Sequence, residues 1–263
     1  MYETLEILRD GGVATIWMNR PDVHNAFNEQ LIAELTAACE ALDADDTVRV
    51  VVLAGRGKSF SAGADLNWMR RAADASVEAN LVDARKLAGM MRTLAEMDKP
   101  TIARVHGAAL GGGMGLASAC DICIASTGAS FATSEVKFGI IPSAISPYVL
   151  RAIGARQAGR YFQTAERISA AQAKELGLAH DVVAPEELDA KVQEIVAALL
   201  VGGPKSQAAA KDLIRAVADR PVCDGVVEDT ARRIAELRAT PEAKEGLAAF
   251  LEKRPAAWVP AAK

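Results

Sequence analysis

The sequence predicts an α/β fold in which parallel strands are joined by crossover helices, and three observations carry that reading. Residues 48–53 and 101–105 are nearly all apolar, as strands covered on both faces are. Stretches such as 28–42 and 79–97 place apolar residues at helical spacing between such strands. Beyond Pro142, helical patterns follow one another with almost no strand signal. The division expected is therefore a mixed α/β core over residues 1–190 and a helical C-terminal region over 191–263.

In chain order, residues 4–8 and 13–18 are β-favouring runs around Asp10-Gly11-Gly12, a hairpin signature. Asn19-Arg20-Pro21-Asp22 is a turn. Asn28 is an N-cap residue for a helix to about residue 42, with Leu31, Ile32, Leu35 and Ala38 on one face. Strand 48–53 leads through a polar loop, 55–59, into Phe60-Ser61-Ala62-Gly63-Ala64-Asp65-Leu66. A long helix, best defined over 79–97, stops before Pro100. Strand 101–105 then precedes Gly111-Gly112-Gly113, a helix-compatible stretch over 114–119, strand 122–125 and a short β segment near Phe131. The C-terminal helices are expected at 147–153, 155–162, 170–176, 186–200, 204–217, 222–237 and 241–252, with one strand at 180–183.

Composition narrows the function. The chain has 263 residues and half of them are apolar, enough for a substantial core. A net charge of −4 gives no electrostatic reason to expect nucleic acid. No run of about 18 uncharged apolar residues suggests a membrane span, and the first residues lack the apolar stretch of a secretory leader. Four cysteines are sparse for this length, so a reduced, cytoplasmic protein is expected.

Several motif matches fail on spacing. Gly57-Lys58-Ser59 lacks the leading glycine of a phosphate loop, since position 52 is Val52. Gly111 cannot open a dinucleotide fingerprint, because Leu116 stands where the last glycine is required. Cys120 and Cys123 form a lone C-x-x-C at a helix end and read as buried structural thiols. His24, His106 and His180 lack metal-ligand spacing, and no metal site is expected.

Two features remain. The triple glycine at a strand-to-helix junction either bares N–H groups for an anionic oxygen or lets a helix pack close to a strand. Glu135, beside apolar Val136, is either a surface charge or an acid–base group. Residues 60–65 repeat the first pattern: small residues after a strand. Two such turns could converge two N–H donors on one carbonyl oxygen and stabilise an enolate.

Asn19-Arg20-Pro21 with Asn25-Ala26, F-S-A-G-A-D-L at 60–66, H-G-A-A-L-G-G-G at 106–113 and S-E-V-x-x-G-I-I-P at 134–142 together resemble the enoyl-CoA hydratase/isomerase (crotonase) superfamily. The likeness continues through Ala165–Leu178 to Phe250-Leu251-Glu252-Lys253-Arg254. The resemblance implies a ClpP/crotonase-like ββα-repeat spiral core and a helical C-terminal trimerisation region, with a homotrimer or a hexamer built from two trimers. It also implies an acyl-CoA substrate whose thioester supplies the acidity, so no separate cofactor is needed. Carried over by position, Ala64 and Gly112 supply the oxyanion N–H groups and Glu135 the acid–base group. Val23, His24, Ala26, Ala62, Asp65 and Leu66 lie along the coenzyme A groove, and Phe250 and Lys253 reach a neighbouring subunit's nucleotide.

One departure bears on the chemistry. Two-glutamate hydratases of this family carry their first glutamate where this chain has Gly115. The segment 134–149 resembles instead that of bacterial methylglutaconyl-CoA and isohexenylglutaconyl-CoA hydratases, with Ser146 and Tyr148 as candidates for binding a second substrate carboxylate. The reading is thus hydration of a 2-enoyl-CoA thioester. A single-glutamate 3,2-enoyl-CoA isomerase is the alternative, and a non-catalytic RNA-binding or scaffold role stands third.

Overall fold

Each stretch of chain between residues 50 and 132 lays down one strand in each of two sheets before it turns into a helix. The structure, a computed structural model, describes residues 2–260. A hairpin of β1 (Leu5–Asp10) and β2 (Val13–Met18) opens the fold, and Asn28 caps α1 (Glu29–Asp43) by accepting from the Leu31 N–H at 2.9 Å. Then come β3 (Val50–Gly55), β4 (Ser59–Ser61), α2 (Leu66–Asp74) and α3 (Val77–Glu96). The pattern recurs as β5 (Thr101–Val105), β6 (Ala108–Leu110) and α4 (Gly112–Ala119), and again as β7 (Ile122–Ser126) and β8 (Ser130–Ala132).

The longer strands β3, β5 and β7 join β1, β2 and a late strand, β10 (Asp181–Val183), in a six-stranded sheet ordered β1-β2-β3-β5-β7-β10. It is parallel apart from the β1–β2 hairpin. The short strands form a second sheet, β4-β6-β8-β9, closed by β9 (Ile168–Ser169). A ββα repeat advancing both sheets together is the spiral that the resemblance implies.

The core follows from this layering. Between the sheets and α1, α3, α4 and the long α5 (Ser146–Thr164) lies one apolar cluster that includes Ile16, Leu31, Leu35, Phe60, Met91 and Phe131. The outer face of the large sheet buries Val50, Val52, Ile102 and Ile124 under Leu188, Val192 and Val196 of α7 (Leu188–Val201). Covering both faces explains why β3 reads as an unbroken apolar run. Residue 190 therefore falls inside a helix that belongs to the sheet's own packing. Beyond it, α8 (Pro204–Val217), α9 (Asp224–Arg238) and α10 (Pro241–Glu252) pack on one another. Lys211 of α8 ties them to the body through Asp121 Oδ2 at 2.7 Å and the Lys99 carbonyl at 2.9 Å.

Three expectations need correction. The triple glycine follows the separate short strand β6, not strand 101–105 directly. The helix expected over 79–97 starts at Val77 and is preceded by the distinct helix α2. Helices 147–153 and 155–162 run together as α5, kinked where Gly154 takes φ 74° and ψ 157°. Short α6 (Ala170–Glu175) follows, capped by Ser169. Cys120 and Cys123 are buried as read, and burial pushes the Cys123 thiol up to about 12.

Candidate active site

β4 and β6 are parallel neighbours, and each ends in a turn built on a glycine in the left-handed region, Gly63 at φ 86° and Gly111 at φ 50°. Side chains rarely adopt that conformation, so glycine is the low-cost choice at both corners. The two turns touch. A methyl group placed on Gly63 would lie 2.8 Å from the Leu110 carbonyl oxygen and 3.4 Å from the Gly112 nitrogen.

The first turn is held from the other side by residues 20–27. Phe27 pairs with Ala64 in a parallel bridge, its N–H donating to the Gly63 carbonyl at 2.6 Å and its carbonyl accepting from Asp65 at 2.8 Å. In such a bridge the residue between the two bonded positions points its own N–H away from the partner. The Ala64 N–H accordingly has no acceptor among the described residues. The Gly112 N–H has none either, because it opens α4, where the first-turn donors lack intrahelical partners. Two free amide donors thus stand on adjoining turns, one of them at the positive end of a helix dipole.

Glu135 completes the arrangement. It follows β8, the next strand in the same sheet, and β8 is fixed to the second turn by the Gly111 N–H donating to the Ala132 carbonyl at 2.7 Å. A methyl on Gly111 would lie 3.0 Å from Glu135 Oε1 and 3.9 Å from the Gly63 Cα, so carboxylate and both turns meet around one point. Glu135 Oε2 is buried with no hydrogen-bond partner among the described residues. Burial raises the carboxyl's pKa above the usual value, with its own backbone N–H pulling the other way. A half-buried acid with an uncommitted oxygen is suited to moving a proton.

No second acid stands at the position one helical turn into α4. A methyl on Gly115 would overlap the Ile145 side chain and lie 3.2 Å from Met91 Cε. Both are buried, so an apolar wall occupies that space.

A chain match now places this geometry among known proteins. The family model described as enoyl-CoA hydratase/isomerase matches residues 9–260. The chain belongs to the enoyl-CoA hydratase/isomerase family. A crystal structure of an enoyl-CoA hydratase from Shewanella pealeana superposes with a TM-score of 0.95 at 44% identity, covering 98% of this chain and 97% of that one. The crotonyl-CoA hydratase of Syntrophomonas wolfei is 35% identical over 98% of both chains. The trans-2-decenoyl-acyl-carrier-protein isomerase of Streptococcus mutans is 33% identical over 93% of this chain and 94% of its own. Relatives named as hydratases thus predominate here, with one named as an isomerase at somewhat lower identity.

The family's groove positions are gathered around the first turn. Val23 and His24 are exposed, and the His24 carbonyl accepts from the Ala62 N–H at 2.9 Å. The buried Ala26 carbonyl accepts from Arg20, whose other amino group reaches Asp65 at 3.0 Å. Asp65 also caps α2 by accepting from Asn67 and Trp68. Burial acts to raise its pKa, yet these donors hold it below the ordinary value. Leu66, next along, is 70% exposed. Phe250 and Lys253 are exposed at the end of α10, and no side-chain hydrogen bond or ion pair among the described residues links them to the two turns. Ser146 Oγ donates to the Ser143 carbonyl, while Tyr148 is half-buried with Glu96, Arg151 and Arg92 nearby.

Sequence reasoning missed what holds the first turn. Buried Asn25 donates to the carbonyls of Arg56, Ser59 and Phe60 and accepts from the Arg20 N–H, pinning β4 to the preceding loop. The one signal in the sequence was the residue type, since Asn is among the few non-glycine residues that tolerate the left-handed φ of 55° found here. Phe27 and Ile145 gave no signal at all, being single apolar residues in segments without period.

Proposed function

We propose that this protein is an enoyl-CoA hydratase that adds water across the 2,3-double bond of an acyl-CoA thioester. The observation that carries the reading is the carboxyl of Glu135 set beside two adjoining turns whose Ala64 and Gly112 N–H groups are free. In this reading the thioester oxygen accepts from both N–H groups. Water attacks C3, Glu135 takes the proton that water loses, and the electron pair of the double bond moves to the thioester oxygen as an enolate. Glu135 then returns that proton to C2, so one water is added and the acid is regenerated. Electrostatic stabilisation of the enolate and proton transfer are the two terms that the site is built to supply.

The apolar wall at Gly115 favours a second reading, 3,2-isomerisation. There Glu135 would remove a proton from C2 of a 3-enoyl thioester and deliver it to C4, with the same enolate between. Both reactions use one carboxylate. Hydration is preferred because the named relatives over nearly the full chain are mostly hydratases. The substrate class we favour is branched or glutaconyl-type, on the likeness of segment 134–149, with Ser146 and Tyr148 as the hydroxyls offered to a second carboxylate. The C-terminal helices, with exposed Ile234, Leu247 and Phe250, are proposed to bury against neighbouring subunits in a trimer or a hexamer.

The test is product mass with a panel of 2-enoyl-, 3-enoyl- and glutaconyl-type CoA esters in water enriched in oxygen-18. Hydration gives a product heavier by one labelled water. A 3-enoyl ester converted at unchanged mass, with no labelled product from any 2-enoyl ester, would overturn hydration in favour of isomerisation.

A further inference from the structure

We infer that Phe27 is a positioning residue that sets the gap between the two oxyanion N–H groups. This rests on the oxyanion reading above and adds to it the element that fixes its dimensions. Phe27 touches both turns by different means. Its backbone holds the first, through the bonds to Gly63 and Asp65 at 2.6 and 2.8 Å. Its ring holds the second: a methyl on Gly112 would overlap ring carbon Cε2 and lie 2.9 Å from Cδ2 and 3.2 Å from Cζ. The ring therefore rests against the Gly112 Cα with no room for a side chain between.

The spacer is rigid at both ends. Phe27 is 1% exposed and packed into the main core, so the ring cannot swing into solvent. On its backbone side, the neighbouring Asn25 carbonyl accepts from Ser61 Oγ at 2.8 Å, and the His24 carbonyl accepts from Ala62. Residues 24, 25 and 27 are thus each hydrogen-bonded to residues 61–65. The planar ring then transmits that fixed position across to the α4 N-terminus. An oxyanion site depends on donor placement to within a fraction of an ångström, and a displacement of about 1 Å is enough to cost about 10²-fold in rate. One residue that holds the first turn by its backbone and the second by its ring is the simplest way for the fold to keep that tolerance.

The inference separates positioning from bulk packing. Shortening the side chain leaves the backbone bridge, and hence the Ala64 N–H, in place, while the Gly112 turn loses its support. The experiment compares Phe27→Ala and Phe27→Leu with Leu42→Ala, a truncation in the same core at the far end of α1. Two quantities are read: steady-state kinetics on the best 2-enoyl-CoA ester, and the absorbance red shift of bound cinnamoyl-CoA. That shift reports polarisation of the conjugated thioester carbonyl by hydrogen bonding. Phe27→Ala is expected to lower kcat about 10- to 100-fold with KM within about threefold, and to lose half or more of the red shift. Phe27→Leu is expected to fall between it and the wild type, and its values stand alone if the alanine variant does not fold. Leu42→Ala is expected to lose stability yet keep kcat and the red shift within about twofold.

Phe27 variants that keep the wild-type red shift and kcat would overturn the positioning role while leaving the oxyanion reading intact. Equal loss in Leu42→Ala would overturn it in favour of general core packing. A wild-type protein that neither shifts the probe nor turns over any enoyl-CoA ester would instead remove the oxyanion reading itself, and the inference with it.

Discussion

Replacing Gly115 by alanine tests whether the site was built for one acid. Inside a helix this change normally stabilises, by about 1 kcal/mol, because alanine loses less backbone entropy than glycine. Here the new methyl overlaps Ile145 Cγ2 and lies 2.8 Å from Ile145 Cβ and 3.2 Å from Met91 Cε. Ile145 is 3% exposed and Met91 fully buried, so neither can move into solvent. Overpacking of this kind costs about 1–3 kcal/mol. The nearest atoms are a β-carbon and its branch rather than a flexible tip, which puts the cost at the upper end. The net expectation is destabilisation by about 1–2 kcal/mol.

Ile145→Ala alone is expected to cost about 2–5 kcal/mol through its cavity. Because it removes the atom that Gly115→Ala strikes, the double variant should be less destabilised than the sum, by about 1 kcal/mol or more. Thermal unfolding at fixed protein concentration reads this, at about 2–4 °C per kcal/mol for a chain of this size. If Gly115→Ala raises Tm, the space beside it is open and the apolar wall is not there. A glutamate at this position needs far more room than a methyl. Gly115→Glu is therefore expected to supply no working second acid while Ile145 is intact.

Two further perturbations follow from the site and the surface. Glu135→Gln should lower turnover about 10²–10⁴-fold with little change in KM. It should also stabilise the fold at neutral pH: burial raises the folded pKa of Glu135 above 4.5, so the stability its neutral form lends is complete below that value and lost as pH rises through the raised one. Melting at pH 8 and pH 4 checks the sign, and a wild type more stable than the variant at pH 8 would refute it. Sedimentation equilibrium should give about 83 kDa, three times the 27.7 kDa chain, or twice that for a hexamer. Lys253→Ala should raise KM for acyl-CoA by up to about fivefold, the worth of one exposed ion pair, and a monomeric mass would remove the role given to Lys253 and Phe250.

Much of this fold was legible because period and punctuation coincide. The hairpin at Gly11-Gly12, the Asn28 cap and helices 204–217 and 241–252 all carry local signals strong enough to read alone. Strands β4 and β6 were not legible, since each is three residues set among glycines and other small residues that read as turn. Nor was the continuity of α5, where Gly154 interrupts the pattern and tertiary packing carries the helix past it. For α7, an apolar stripe says that something covers it but not that the cover is β3, β5 and β7. In the site, glycines and the acid could be named from residue type. The surroundings they meet come from Asn25, Phe27 and Ile145, whose contacts exist only in the folded chain.

Helix α2 starts two residues past Ala64, and although Trp68 packs against the core, none of the helix's side chains is fully buried. The turn that carries Ala64 is thus anchored to the buried Phe27, while most of the lip beside it faces solvent. A chain arranged this way can exchange residues along that lip, Leu66 and its neighbours first, at small thermodynamic penalty. The rim of the site and the paired turns behind it are thus free to change independently of one another.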